Sequence, residues 1–261
     1  MTRRDQKLQQ KQTVLTAFDG VTTFTQGNKH LNTIAAAQPF SQAQQSPHLA
    51  LSTLVQLPIP NMSSSSEMPD EQDIKEVCKA IGELLAGMKY CIIGGGALQL
   101  LESPRLTRDV DILVPRGSIA AARARLAAAK DKFFVDPRIR HTYYKNSNPT
   151  IPIDIVAPPM LFKVEFDDGT PLHTVPVDGQ PVEILKPSLI LNAKCVSVLE
   201  RSTDQKKQSD ASDIIFLLEW LTANNVELSV EEVPHATAAF IQYFIAQYQH
   251  SETWRLAGFK F

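Results

Sequence analysis

The residues best suited to chemistry are three aspartates and a run of glycines. Asp109 and Asp111 stand two apart in "RDVDILVP". That segment alternates polar and apolar residues and reads as a strand, so both carboxylates leave the same face. Two adjacent carboxylates repel, and a hard divalent cation between them would relieve the repulsion. Magnesium suits such a pair, because it takes a few carboxylate oxygens together with phosphate oxygens and water. A third acid, Asp154 in "IPIDIV", is flanked by Ile153 and Ile155. A lone acid in an apolar strand needs a partner if it faces inward. Asp167 and Asp168 in "EFDDGT" are rivals for the third position, but "DDG" reads as a hairpin turn, which favours Asp154. Upstream, Gly94, Gly95 and Gly96 follow an apolar run and open a helix. Backbone without Cβ atoms can approach a phosphate closely, and a helix N-terminus presents free N–H groups and a favourable dipole. One short segment thus offers a phosphate cradle and a metal-binding pair, as a nucleoside triphosphate with its magnesium requires.

These residues need elements to hold them. "DEQDIKEVCKAIGELLAGM" places Ile74, Val77, Ile81, Leu84 and Leu85 at helical spacing behind leading acids. "KYCIIGG" reads as a strand entering a turn, and "GALQLLES" restarts as a helix. "SIAAARARLAAAKD" is an Ala-rich helix, and "TYYK" and "IPIDIVAPP" are further strands separated by Pro-rich loops. "VEILKPSLILNAKCVSVLER" predicts a short strand, a Pro turn and a long helix. "DASDIIFLLEWLTANN" and "EEVPHATAAFIQYFIAQYQ" predict helices. Strands mixed with helices to about residue 185, then helices alone, imply an α/β (α+β) domain over 70–185 followed by a helical region over 186–261. Residues 1–69 are rich in Gln, Ser, Thr and Ala and lack apolar periodicity, so a disordered low-complexity tail is expected there. Met62 is a candidate for the natural start, since "MSSSSEMPDEQDIKEV" reads as an ordinary N-terminus.

The bulk composition narrows the class. Hydrophobic residues make up 43% of 261 and charged residues 21%, so a sizeable core can form. The formal net charge of -2 argues against a global basic field for nucleic acid, although a local patch is compatible with it. Cys78, Cys91 and Cys195 show no metal spacing and read as buried reduced thiols, which implies an intracellular, cytoplasmic protein. The six histidines show no metal spacing. No stretch approaches a membrane span, and no apolar segment follows Arg3 and Arg4 to make a secretory signal.

The ordered run resembles the signature of the DNA polymerase β nucleotidyltransferase superfamily: a Gly-Gly turn, a helix, D-x-D on the next strand and a third acid on a later strand. It is most similar to the AbiEii-type toxin nucleotidyltransferase branch. "GGGAL" supplies Gly94, Gly95 and Ala97, and "RLTRDVD" supplies Arg105, Thr107, Asp109 and Asp111. The stretch from Pro187 through Lys194, Arg201, Lys206 or Lys207, Asp210 and Asp213 resembles that branch's C-terminal part. The likeness covers about residues 75 to 220. Gly96 stands where many relatives carry Ser or Thr, which would remove one side-chain contact to a phosphate.

The resemblance implies a nucleotidyltransferase-like mixed sheet with flanking helices. It implies two magnesium ions, with manganese as an alternative, held by Asp109 and Asp111 about 3.5–4 Å apart. Asp154 would bind one of them and take the proton of an acceptor hydroxyl. Gly94, Gly95 and Gly96 would cradle the phosphates of a nucleoside triphosphate, with Arg105, Thr107 and Lys194 as further nucleotide contacts. The expected reaction transfers a nucleoside monophosphate to a hydroxyl and releases pyrophosphate. A small molecule, a protein hydroxyl and a tRNA end all suit that chemistry. A catalytically silent nucleotide-binding or protein-interaction module on the same fold is the alternative. The residues themselves leave several roles open. Arg105 and Arg108 could touch a triphosphate or form surface ion pairs. Lys194, in an apolar helix, could reach the cleft or snorkel. Arg201, Lys206 and Lys207 could bind phosphate or RNA, or line a solvated loop. Asp210 and Asp213 could cap the next helix or pair with these cations. Tyr143 and Tyr144 could stack on a base, with at least one packed inside.

Overall fold

The computed structural model describes residues 68–159, 165–226, 228–229 and 231–261. The tail expected over 1–69 and the candidate start at Met62 therefore lie outside the described residues, apart from Met68 and Pro69. The described residues lie in one compact unit.

The first helix, α1 (Glu71–Leu85), begins where the leading acids predict. Asp70 caps it: the Asp73 backbone N–H donates to Asp70 Oδ1 at 2.7 Å, and the Asp73 carboxylate accepts from the Asp70 N–H in return. Its apolar stripe, Ile74, Val77, Ile81 and Leu85, is wholly buried. Strand β1 (Cys91–Ile93) runs directly into α2 (Gly94–Leu100). Strand β2 (Val110–Leu113) follows, then α3 (Ile119–Ala128) and the strands β3 (Phe133–Val135), β4 (Thr142–Tyr144) and β5 (Ile151–Val156). The hairpin β6 (Leu172–Val177) and β7 (Gln180–Leu185) closes the sheet. Helices α4 (Pro187–Glu200), α5 (Asp204–Ala223), α6 (Ala238–Tyr248) and α7 (Ser251–Leu256) complete the chain.

The seven strands form one mixed sheet in the order β3-β4-β5-β2-β1-β7-β6. Strand β2 runs antiparallel to β1 and parallel to β5, so the two strands that carry acids are neighbours near the sheet's centre. Helix α3 packs on one face of the β3-β4-β5 side. Phe133, Tyr144, Ile151 and Ile153 are buried on that face. Pro187 opens α4 at its first turn, where its missing N–H costs nothing. The boundary expected at 185/186 falls in the turn between β7 and α4, and residues of α4 and α5 share the core with the sheet.

Two strands escape a reading of the sequence. Phe133–Val135 is three residues long and all apolar, so its sequence shows no polar–apolar alternation. Leu172–Val177 contains Pro176, which cannot donate to a ladder and interrupts the strand pattern, and β6 is an edge strand. The "DDG" segment forms a turn. The Asp167 carboxylate accepts from the Gly169 N–H at 3.0 Å, and the turn leads into β6. Asn224 ends α5 as its C-cap, as the "LTANN" segment suggests.

Among the described residues no helix is long and apolar enough to cross a membrane. The three cysteines are free and buried. Burial pushes the Cys78 thiol up to about 12 and the other two higher still, so none is a ready nucleophile.

Candidate active site

The glycine turn is shaped by the carboxylate strand beside it. Gly94 has φ +62°, a backbone state that L side chains rarely adopt, and a Cβ there would stand 2.4 Å from Asp111 Oδ2. A Cβ on Gly95 would stand 2.5 Å from Thr107 Oγ1 and 3.0 Å from Arg105 Nη2. Both positions therefore require glycine, because Asp111 at one and Thr107 at the other approach the backbone where a Cβ would stand. Gly96 differs. A Cβ there would meet Ile92 Cγ2 at 3.3 Å and Val110 Cγ1 at 3.5 Å. It packs α2 onto the core and is not among the residues that line the cleft.

Asp109 directly precedes β2, and Asp111 lies within it. The parallel register places Asp154 beside Asp111. Burial, followed by the charges of Asp109 and Asp154, pushes the Asp111 carboxyl up to about 7, while Lys194 and Arg201 act in the opposite direction. The three acids thus feel one another. The Thr107 hydroxyl donates to Asp109 Oδ1 at 3.1 Å and so orients that carboxylate. Asp154 is more open, with 48% of its side chain exposed, and His141 Nδ1 lies 3.5 Å from its Oδ1.

The opposite wall is cationic, and two buried acids of α5 organise it. Asp213 receives Arg105 through Nε at 2.6 Å and Nη2 at 3.2 Å, and Lys194 Nζ at 2.7 Å. Asp210 receives Lys194 Nζ, Arg201 Nε and the Ser197 hydroxyl, each at 2.7 Å. Burial alone would raise the Asp210 carboxyl, but these hydrogen bonds hold it below the usual range. Lys194 is buried to within 9% and is doubly paired, so it reaches the cleft rather than snorkelling away. Asp210 and Asp213 are partners of these cations, and the cap of α5 is Thr203 instead.

The cleft between the walls has a volume of about 380 Å³. It is lined by Gly94 and Gly95 at the turn, Asp109 and Asp111 on one side, and Lys194, Arg201 and Lys206 on the other. Arg105, Thr107, Ser209 and Asp210 complete it. Ser209, Ser197 and His141 carried no signal in the sequence, because nothing about their spacing distinguishes them from surface residues. Arg108 is not part of the lining; its Nε faces the Met68 sulfur.

The donor set is all oxygen, which suits a hard cation. Among the described residues no three carboxylate, histidine or cysteine side chains close into a ready-made metal cage. Magnesium does not demand one, since it keeps several waters and shares its substrate's phosphate oxygens. An uncompensated carboxylate pair on an open cleft fits that preference.

The fold has known counterparts. The chain is similar to the crystal structure of an antigenic nucleotidyltransferase-like protein from Paracoccidioides brasiliensis, with a TM-score of 0.55 and 20% identity over 72% of this chain and 94% of that one. This is a nucleotidyltransferase-like fold. The chain is also matched to the antibiotic-resistance factor ANT(2'')-Ia, with a TM-score of 0.38 and 13% identity over 70% of this chain and 98% of that one. That likeness is too distant to carry a structural argument. No family model matches the chain. No curated protein matches it either. The nucleotidyltransferase-like fold expected from the sequence stands on the first of these structures. The AbiEii-type branch has no counterpart among them.

Proposed function

We propose that the protein transfers a nucleoside monophosphate from a nucleoside triphosphate to a hydroxyl acceptor, with magnesium. The observation that carries this reading is the pairing within one cleft of a carboxylate wall, Asp109 and Asp111, with a cationic wall, Arg105, Lys194, Arg201 and Lys206, across an open glycine turn. A triphosphate bears negative charge along its length and needs cations on its free oxygens. The same molecule needs a metal between its phosphates and the carboxylates.

Asp109 and Asp111 would hold magnesium, which supplies Lewis-acid polarisation of the phosphates when bound. Gly94 and Gly95 admit the β- and γ-phosphates close to the backbone. Arg105, Lys194 and Arg201 face the phosphate oxygens and are already oriented by Asp210 and Asp213, so little reordering accompanies binding. The acceptor oxygen forms its bond to the α-phosphorus as the bond to the pyrophosphate oxygen breaks. Asp154, with about half of its side chain exposed, takes the acceptor's proton.

The test is pyrophosphate release by the full chain with each ribonucleoside triphosphate, magnesium and a cell extract as the pool of acceptors. The reference is the Asp109→Ala, Asp111→Ala double variant. Release that vanishes in the variant is the expected result. Equal release from both proteins would overturn the assignment of the carboxylates. A triphosphate-dependent rise in melting temperature without release would favour a silent nucleotide-binding module instead.

A further inference from the structure

The sheet face that carries the acids continues past them toward the β3 edge, outside the cleft. Asp111 and Asp154 stand side by side on β2 and β5. Beyond them, Tyr143 pairs with Pro152, two residues before Asp154 and so on the same face. Phe134 pairs with Tyr143 in turn. The Phe134 and Tyr143 rings stack with centroids 5.7 Å apart and planes at 21°. His141 stands between this pair and the acids, its ring 4.9 Å from Tyr143 and its Nδ1 3.5 Å from Asp154. The alternation that buries Phe133 and Tyr144 beneath α3 turns Phe134 and Tyr143 to the other side. Phe134 remains 40% exposed there. Phe134 is exposed and Tyr143 half-buried, so the stacked pair forgoes part of the burial that normally accounts for large aromatics.

We propose that this stripe is the acceptor subsite and that its occupant is a nucleoside, with the base on Tyr143 and Phe134 and the ribose hydroxyl at Asp154. The inference rests on the nucleotidyl-transfer reading and adds the acceptor to it. The spacing matches: one imidazole ring separates the aromatic platform from the carboxylate, just as one furanose separates a base from its sugar hydroxyls. Aromatic faces stack on any base. The rim is basic. Arg138 and Arg140, in the turn joining β3 to β4, and Lys145 after β4 are all exposed. The acid in that turn, Asp136, is occupied by the backbone N–H groups of Arg138 and Ile139. His141, with Nδ1 3.5 Å from Asp154 Oδ1, is assigned as a positioning residue that would orient the carboxylate toward the incoming hydroxyl. A free ribonucleoside and the terminal nucleoside of an RNA strand share this chemistry.

The experiment measures pyrophosphate release by the full chain with magnesium and each ribonucleoside triphosphate. One arm adds free adenosine, guanosine, cytidine or uridine, and the other adds ribotrinucleotides ending in each. A parallel measurement follows the rise in melting temperature with magnesium and a non-hydrolysable triphosphate. Acceptor-dependent release is expected in at least one arm. Tyr143→Ala should raise the acceptor KM by about tenfold or more, the loss of one stacked base. His141→Ala should lower kcat by about tenfold or more through misplacement of Asp154, with part of it restored in His141→Gln. The triphosphate-induced rise should be the same in all three variants. Release with free nucleosides assigns the small molecule, and release with trinucleotides alone assigns the strand end. A normal triphosphate-induced rise with no acceptor-dependent release in either arm overturns the subsite and leaves nucleotidyl transfer standing. So does release whose KM is unmoved by Tyr143→Ala. No rise in the unaltered protein overturns both.

Discussion

Replacing Asp111 with Asn should make the metal-free protein more stable while destroying its function. In the folded chain burial and the neighbouring charges of Asp109 and Asp154 push the Asp111 carboxyl up to about 7, against an ordinary value of 3.8. Between those values the folded state holds a proton that the unfolded state has released. Stability therefore falls as pH rises through that window, and the full cost is present above pH 7. At about 1.36 kcal/mol per pH unit, the difference corresponds to about 4 kcal/mol, an upper figure for a group at the cleft wall. Asn keeps the shape without the charge, so Asp111→Asn should gain a substantial part of this at pH 8 and almost none at pH 4. Urea denaturation in the presence of a chelator, at both pH values, reads the difference. Added magnesium should raise the stability of the unaltered protein at pH 8 and leave the variant nearly unmoved. A variant less stable than the parent at pH 8 without metal would refute the claim that the ionised carboxylate is a cost awaiting a cation.

The neighbouring glycines separate function from packing. Gly94→Ala and Gly95→Ala each drive a Cβ into Asp111 or Thr107, so triphosphate-induced thermal stabilisation should be lost in both. Gly96→Ala meets only Ile92 and Val110. The tight contact there is offset by about 1 kcal/mol of helix propensity, so its stability should stay near the parent's and its triphosphate response should be kept. Asp210→Asn leaves Arg201 and one side of Lys194 without their charge partner. Urea unfolding at pH 7 should show a loss approaching the ~3–5 kcal/mol typical of a broken buried pair. Because the Asp210 carboxyl sits below its usual range, that loss should shrink as pH falls through its depressed value and the carboxyl becomes protonated in the parent too. The three thiols should react with an aromatic disulfide reagent only on unfolding, and fast labelling of the native protein would contradict their burial.

Much of this molecule was legible along the chain because its signals are local. The acid-led stripe of α1, the apolar run stopped by Gly94, the alternation around Asp111 and the proline that opens α4 each depend on periodicity or turn chemistry within a few residues. The order of glycine turn, paired acids and later acid also implied the fold before any pairing was known. Strands β3 and β6 were not legible, because each is held by its neighbour more than by its own pattern. Gly96 was indistinguishable in sequence from Gly94 and Gly95; which of three adjacent glycines lines the cleft and which faces core depends on the strand packed against them.

The sequence by itself determined which residue types stand at which spacing, and hence that Asp109 and Asp111 share a face. Only the tertiary structure decided that Asp154 lies beside Asp111, that Asp210 and Asp213 reach back to Arg105, Lys194 and Arg201, and that His141 joins Asp154 to an aromatic pair. Strand register and helix docking bring together groups up to 108 positions apart along the chain, such as Arg105 and Asp213. Charge interacts through space rather than along the backbone, so the electrostatic character of the cleft exists only once the sheet has closed.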